Sequence, residues 1–133
     1  LGKKYFLLDK NSIRAEINTD YIIIGENYRV LDEYRKKMFT GFIELLGKEG
    51  VKVVLFITPE HPLKYKLNNN DPFRARMLFS IEQYILSFEK KYSFVKVIGS
   101  FNPEVGHFQE DDFFDGDHLR NDKALKELFS KIH

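Results

Sequence analysis

The segment Val51–Thr58, with the sequence VKVVLFIT, constrains the possible folds of this chain more than any other stretch. It is rich in β-branched residues, is nearly uncharged and is followed by Pro59. Such runs are typical of a strand that is buried on both faces of a parallel sheet. A second apolar run, FVKVI at Phe94–Ile98, ends at Gly99 and predicts a second short strand.

Helical patterns flank both predicted strands. Before the first strand, Asn27 is the predicted N-cap of a helix that ends at Gly47 and Gly50. Between the strands, Asp71 is a predicted N-cap and Pro72 the first helical residue. Apolar side chains at spacings of three and four predict the buried face of each helix. They are Leu31, Tyr34, Met38, Phe42 and Leu45 in the first helix and Phe73, Met77, Ile81, Tyr84 and Phe88 in the second.

From residue 27 to residue 133 the predicted order is helix, strand, helix, strand, helix. Asn121 is the predicted cap of the last helix, whose apolar residues are Ala124, Leu125, Leu128, Phe129 and Ile132. This alternation predicts an α/β fold, a three-layer sandwich with a mainly parallel sheet, in a single domain of residues 1–133. Two earlier apolar runs, Lys4–Leu8 and Asp20–Gly25, predict a β arm over residues 1–26, with Ser12 in a polar turn.

Composition removes several classes of function. The net charge is +1 and no Lys/Arg stripe interleaves with aromatic residues, so no nucleic-acid partner is expected. The absence of cysteine excludes disulfides, thiolate zinc sites and a cysteine nucleophile. No apolar run has the length of a membrane span. The chain begins at Leu1 without a methionine, so any targeting or membrane-associating segment is expected outside it, and the cellular location stays open.

The predicted sheet locates a candidate site. In an open parallel sheet, ligands bind at the carboxyl ends of the strands. Two loops leave that edge, Thr58–Pro62 and Gly99–Arg120, and the second is long enough to indicate a functional role. The residues expected to bind substrate there are Glu60, His61, Ser100 and Asn102. His61 is expected to line a pocket at the same edge as His118.

The segment DDFFDGDHLRND, residues 111–122, contains the candidate catalytic pair Asp115 and His118. A carboxylate that accepts a hydrogen bond from one imidazole nitrogen fixes the tautomer, and the other nitrogen can then take a proton from a serine hydroxyl. Gly116 is expected to permit a tight turn that joins the two side chains, with Asp117 directed to solvent or to the backbone. The alternative is that Asp115 or Asp117 only caps the turn and His118 is an ordinary polar residue.

Three segments together, VVLFITPEHP, VKVIGSF and DFFDGDHLR, resemble the SGNH (GDSL-type) hydrolase superfamily. The similarity runs from about Tyr28 to His133, and the segments resemble bacterial members associated with modification of cell-surface polysaccharide or teichoic acid. It implies an SGNH or flavodoxin-like sandwich in which Asp115 orients the general base His118. It also implies esterase or acyl-transfer chemistry on acylated carbohydrate or related cell-envelope substrates, without a cofactor.

The chain departs from that family at the nucleophile. It has neither a Gly-Asp-Ser tripeptide nor a Gly-x-Asn-Asp block, so the usual serine and oxyanion-hole asparagine are missing. Its serines are Ser12, Ser80, Ser87, Ser93, Ser100 and Ser130, and none lies in the expected block. The chain is therefore expected to be the C-terminal portion of such a fold, without the first strand block and without a complete active site.

Two other classes of function stay open. The first is a metal site built from Glu110, Asp111, Asp112, Asp115, Asp117, His107 and His118. Their spacing matches no calcium loop, and there is no H-E-x-x-H motif, so a solvated acidic loop is favoured and no metal is expected. The second is a non-catalytic carbohydrate-binding or structural module, in which Tyr65 and the loop phenylalanines stack on sugar faces.

Overall fold

The chain forms a mixed α/β structure in a computed structural model that describes residues 9–19, 30–120, 126, 129 and 130. Residues 126, 129 and 130 are helical. The other elements, in chain order, are α1 (Lys10–Thr19), α2 (Glu33–Lys48), β1 (Val53–Ile57), α3 (Pro62–Asn70), α4 (Pro72–Lys91), β2 (Val95–Gly99) and two 3₁₀ turns at Pro103–Gly106 and Glu110–Asp112.

The two strands pair directly and run parallel, as the sequence predicted. Val53 lies opposite Val95, and the register continues to Ile57 opposite Gly99. β1 begins two residues later than predicted because the Val51 N–H donates to the Leu46 carbonyl oxygen at 2.9 Å and so closes the end of α2. Gly50, at φ 71°, supplies the left-handed residue of that helix end.

The core lies on one face of this sheet. Ile43 of α2 and Phe88 of α4 pack against Ile57, Val95 and Val97, all of which are buried. These strand residues alternate along their strands, so they point to the same side. On the other side, the Phe56 ring contacts the Phe129 ring at a centroid distance of 5.5 Å. The Phe129 ring therefore contacts the face of the sheet opposite the core.

The apolar face predicted for α2 is wrong. Tyr34, Met38, Phe42 and Leu45 are 71%, 59%, 55% and 53% exposed. The helix instead packs through Phe39, Thr40 and Ile43: the Phe39 ring meets Phe88 edge-on, and the Thr40 hydroxyl lies 3.2 Å from the Tyr84 hydroxyl. Apolar residues occur on two faces of α2, so their spacing does not decide which face meets the sheet. The N-cap is Asp32, and the predicted cap Asn27 lies outside the described residues.

Helix α1 was not predicted, and Ser12 lies in its first turn and not in a polar turn. The Asp9 carboxylate accepts hydrogen bonds from the N–H groups of Asn11 and Ser12 at 2.8 and 2.9 Å, which satisfies donors that a helix start leaves open. The β arm is therefore wrong for residues 10–19. Its two predicted strands, Lys4–Leu8 and Asp20–Gly25, lie outside the described residues.

Helix α3 was also missed, whereas the start of α4 was predicted correctly. Asp71 caps α4, with its Oδ1 accepting from the Phe73 and Arg74 N–H groups, and Pro72 is the first helical residue. The predicted cap of the last helix, Asn121, lies outside the described residues, as do Leu125 and Leu128.

Candidate active site

The candidate catalytic pair lies on a tight turn between two extended positions. Phe113 and Leu119 form an isolated antiparallel bridge, and the Phe114 N–H donates to the His118 carbonyl oxygen at 2.8 Å. The Phe113 side chain is fully buried, against the rings of His61 and Phe108. The buried ring anchors the turn, and residues 115–117 form its tip.

Asp115 and His118 form the predicted side-chain contact. The His118 Nδ1 lies 2.8 Å from Asp115 Oδ2 and 3.0 Å from Oδ1. The imidazole side chain is 75% exposed, whereas that of Asp115 is 28% exposed. Because Nδ1 faces the carboxylate, Nε2 is on the opposite side of the ring. A cavity of about 310 Å³, lined by Phe114, Asp115, His118 and Leu119, adjoins the pair.

Asp115 also caps the turn, so both interpretations of the motif describe real contacts. Its Oδ1 accepts hydrogen bonds from the N–H groups of Asp117 and His118 at 2.7 and 2.8 Å. Partial burial raises the pKa of Asp115, but these two backbone donors and the His118 ring outweigh burial and hold that pKa below its usual value. The carboxylate is thus ionised and fixed when it meets the imidazole.

Gly116 acts by its size and not by its backbone conformation. The glycines with positive φ among the described residues are Gly50 and Gly99. A Cβ at Gly116 would lie 3.2 Å from Ile17 Cγ1 and 3.5 Å from Lys64 Cδ. The glycine therefore lets α1 and α3 approach the turn closely, whereas it was expected to permit the tight turn through its backbone.

Asp117 turns away from His118, as predicted, and its side chain is 57% exposed. Its carboxylate pairs with the ammonium group of Lys64 on α3. This contact leaves Asp115 as the carboxylate that meets His118. Lys64 carried no motif signal, because its role depends on α3 being next to the turn.

His61 is a buried packing residue, so the expectation that it lines a pocket is wrong. Its side chain is 1% exposed, and its ring meets Phe113 edge-on at 5.3 Å. Its Nδ1 accepts a hydrogen bond from the Leu63 N–H and so caps α3, and its own N–H donates to the Gly116 carbonyl oxygen at 3.2 Å. Burial lowers the pKa of His61, which keeps the ring neutral. His61 therefore contacts the Asp115–His118 turn through its backbone hydrogen bond to Gly116 and the packing of its ring on Phe113.

Glu60 is also buried, at 7% exposure, and was expected to bind substrate. Asn68 Nδ2 donates to both of its carboxylate oxygens, at 3.0 and 2.9 Å. Burial raises the pKa of Glu60, an effect that the Asn68 hydrogen bonds oppose. The Glu60 N–H donates to the Phe101 carbonyl oxygen at 3.1 Å, which joins the two loops at the sheet edge. The structure gives Glu60 an internal structural role.

Ser100 and Asn102 line a different cavity from the catalytic pair. The Ser100 hydroxyl donates to Glu82 Oε1 at 2.8 Å, and the Asn102 N–H donates to that hydroxyl at 3.1 Å. Their cavity, of about 290 Å³, shares no described lining residue with the cavity at His118. Substrate binding by these two residues stays a prediction.

Two acidic residues of the loop pair with cations on α1. Arg14 Nε and Nη2 donate to the two carboxylate oxygens of Glu110 at 3.0 Å each, and Lys10 Nζ lies 2.8 Å from Asp111 Oδ1. Within residues 9–19 and 30–120, no three His, Asp or Glu side chains are grouped so that they could hold a metal ion. The Glu110 and Asp111 carboxylates thus attach α1 to the loop. The spacing of the residues in the sequence could not indicate these ion pairs.

No serine hydroxyl in the described part of the chain is hydrogen-bonded to His118. Ser12 Oγ donates to Asp9 Oδ2 at 3.1 Å, Ser80 Oγ to the Arg76 carbonyl oxygen, and Ser100 Oγ to Glu82. The pair has the geometry of an orienting acid and a base, and these hydroxyls are engaged elsewhere.

Comparisons with protein-family models, with curated proteins and with solved structures find no match to this chain. Among the described helices, none combines the length and the apolar character that a membrane crossing requires. The site must therefore be interpreted from its own geometry.

Proposed function

We propose that this chain supplies the acid–base pair of an SGNH-like ester hydrolase or O-acyltransferase, with His118 as general base and Asp115 as its orienting acid. The observation that carries the proposal is the 2.8 Å contact between His118 Nδ1 and Asp115 Oδ2. A carboxylate at that distance favours the tautomer with the proton on Nδ1, which leaves Nε2 with a lone pair.

The surroundings of the pair support this role. The Asp115 carboxylate is held by two backbone N–H donors before it meets the ring, so the imidazole has a fixed partner. The pair adjoins a cavity of about 310 Å³, which offers space for a substrate beside the ring. Lys64 engages Asp117, which keeps a second carboxylate from competing for the ring.

In the proposed reaction, His118 Nε2 removes the proton of a serine hydroxyl while the serine oxygen attacks the ester carbonyl carbon. The imidazolium then protonates the leaving alcohol as the acyl–enzyme forms. Water in a hydrolase, or an acceptor hydroxyl in a transferase, resolves the acyl–enzyme with the same base. The serine is a residue other than those described.

The parallel sheet and the position of the pair after β2 also support an SGNH-like three-layer sandwich. On that basis we infer that the substrate is an acylated carbohydrate or a related cell-envelope ester. Such a protein would associate with the cell envelope through segments other than those described.

The test uses the natural polypeptide that carries this sequence, assayed with an aryl acetate. His118→Ala should abolish turnover, and Asp115→Asn should lower kcat by up to about 10⁴-fold, because it disturbs tautomer and charge with little change in shape. His107→Ala is the matched control, since His107 is exposed and adjoins neither the pair nor its cavity. Turnover that is indifferent to both Asp115→Asn and His118→Ala would refute the proposal.

A further inference from the structure

The cavity next to Ser100 differs in chemistry from the one at His118. It lies among α3, α4 and the segment that follows β2, and its volume of about 290 Å³ is near the lower end for small-ligand sites. Its polar lining residues come from all three elements. They are Tyr65, Asn69, Glu82, Gln83, Ser100 and Asn102.

Glu82 is a fixed hydrogen-bond acceptor in this cavity. The buried Ser100 hydroxyl donates to its Oε1 at 2.8 Å, and the Phe101 N–H lies 3.4 Å from its Oε2. These contacts orient the carboxylate and leave lone pairs on both oxygens for a further donor. A hydroxyl group of a ligand is a donor of that kind.

Tyr65 offers the complementary donor. Burial raises the pKa of its hydroxyl, and the Glu82 carboxylate acts in the same direction, so the phenol stays protonated. No residue in the described ranges is hydrogen-bonded to that hydroxyl. A carboxylate acceptor and a phenol donor therefore line the same small cavity.

The charge of the lining argues against anions and metal ions. Among the described lining residues there is no Lys, Arg or His, and Glu82 is the only residue with a formal charge. An anionic ligand would meet an unfavourable carboxylate, and one carboxylate is too few for a divalent cation site. The lining is therefore suited to an uncharged ligand that has several hydroxyl groups.

An exposed aromatic ring completes the cavity. Phe79, 65% exposed, precedes Glu82 and Gln83 by three and four residues, so all three lie on one face of α4. A ring that is exposed beside polar acceptors can cover the C–H face of a flat polyhydroxylated molecule while the acceptors bind its hydroxyls. The exposed ring together with the polar acceptors distinguishes this cavity from a purely polar depression of the surface.

We propose that this cavity is a binding site for a single neutral sugar ring, with Phe79 covering its C–H face and Glu82, Tyr65 and Gln83 binding its hydroxyls. The inference is independent of ester chemistry, because it requires neither His118 nor a nucleophile. It also gives Ser100 a role, since its buried hydroxyl positions Glu82.

The experiment titrates the isotope-labelled chain with methyl glucoside and with N-acetylglucosamine, followed by amide NMR. Saturable shifts should map to residues 100–102 and to α3 and α4, with a Kd in the millimolar range. Phe79→Ala should weaken binding roughly three- to tenfold, and Glu82→Gln roughly tenfold or more. Gln83→Ala, at the exposed rim, should also weaken binding, and it tests the site if Glu82→Gln perturbs the fold.

Two matched controls should bind like the unmodified chain. Phe42→Ala removes an exposed ring from α2, and Glu89→Gln removes another carboxylate from α4, one that pairs with Lys96 at 2.7 Å. The proposal is overturned if neither sugar gives saturable shifts, if the shifts map to residues 114–119, or if Phe79→Ala and Gln83→Ala bind unchanged. Because binding is measured without turnover, its failure is distinct from failure of the esterase assay.

Discussion

Asp115 combines two tasks that are usually separate, the capping of a turn and the orientation of an imidazole. Oδ1 accepts two backbone N–H groups, and His118 Nδ1 lies 2.8 Å from Oδ2 and 3.0 Å from Oδ1. The cap thus holds the carboxylate in place beside the ring. The shorter contact, from Nδ1 to Oδ2, allows a test at the level of a single proton.

We expect neutral His118 to carry its proton on Nδ1 and Asp115→Asn to move that proton to Nε2. In the variant, the amide oxygen should keep the two backbone hydrogen bonds, which places the NH₂ group against Nδ1 as a donor. Nδ1 must then accept, so the other tautomer is favoured. The ¹⁵N shifts of the ring nitrogens, measured where the imidazole is neutral, report this directly. A ring already protonated on Nε2 in the unmodified chain would contradict the expectation.

His61→Asn should remove a pH dependence of stability. The folded-state pKa of His61 is lowered from 6.5 by burial, so the unfolded chain binds more protons than the folded chain just below that pH. The stability from neutral His61 is therefore present above pH 6.5 and is lost as pH falls through the folded pKa. Asparagine cannot titrate but can still cap α3.

Urea unfolding at neutral and mildly acidic pH measures this effect. The variant should be less stable at neutral pH, because it loses ring packing on Phe113, and its free energy of unfolding should fall less on acidification. His107→Asn is the control: His107 is exposed and left-handed at φ 57°, which asparagine tolerates. If the free energy of unfolding falls equally with pH in His61→Asn and in the unmodified chain, His61 is not the group responsible for the pH dependence. Glu60 has a raised pKa, so at lower pH its titration changes the free energy of unfolding in the opposite direction. This contribution is the same in the unmodified chain and in both variants.

At the residue scale, a side-chain contact could be predicted from the sequence only where the two residues are close together in the chain. Asp115 and His118 are three residues apart, so their contact follows from a single turn. Gly116 and Asp117 lie in the same turn, but their neighbours Ile17 and Lys64 come from distant elements. Their roles depend on packing that residue spacing does not encode.

At the scale of elements, two unpredicted helices support the candidate site. α1 contributes Ile13 and Ile17, which are 2% and 5% exposed, and holds the acidic loop through Arg14. α3 contributes Lys64 and is capped by His61, whose N–H donates to the Gly116 carbonyl oxygen. Both helices are short and their apolar patterns are weak, which is why sequence periodicity did not predict them. Pro62 after His61 was the available signal for α3.

Ile17→Ala should destabilise the chain by about 2–4 kcal/mol, because it removes buried atoms and leaves a cavity against Gly116. The loss should extend to the turn, so hydrogen exchange at the Asp117 and His118 amides should accelerate. Leu45→Ala is the matched control: Leu45 is 53% exposed, so its truncation should cost less than about 0.5 kcal/mol. Unchanged exchange at the turn in Ile17→Ala would show that α1 does not support it.

At the scale of the whole molecule, the alternation of helix and strand correctly predicted a parallel pair of strands with α4 between them. It did not predict which face of α2 would be buried. A helix between loops can rotate about its axis without changing the order of elements, and only contact with Phe88, Tyr84 and Phe94 selects the face that carries Ile43. The alternation of elements thus predicted the topology of the sheet, whereas the packing of side chains determines which face of α2 is buried.

By itself, this chain should show negligible esterase activity. It contains an orienting acid and a base, yet the hydroxyls of Ser12 and Ser100 are bonded to Asp9 and Glu82. Without a serine at the base, only slow residual catalysis is expected, of the kind that remains when a triad nucleophile is removed. Aryl acetate hydrolysis by the chain should therefore match that of free imidazole at equal concentration. Ser12→Ala and Ser100→Ala should leave it unchanged, since neither hydroxyl reaches His118. Robust turnover that either substitution abolishes would identify a nucleophile within this chain, and the proposed division between base and serine would then be wrong.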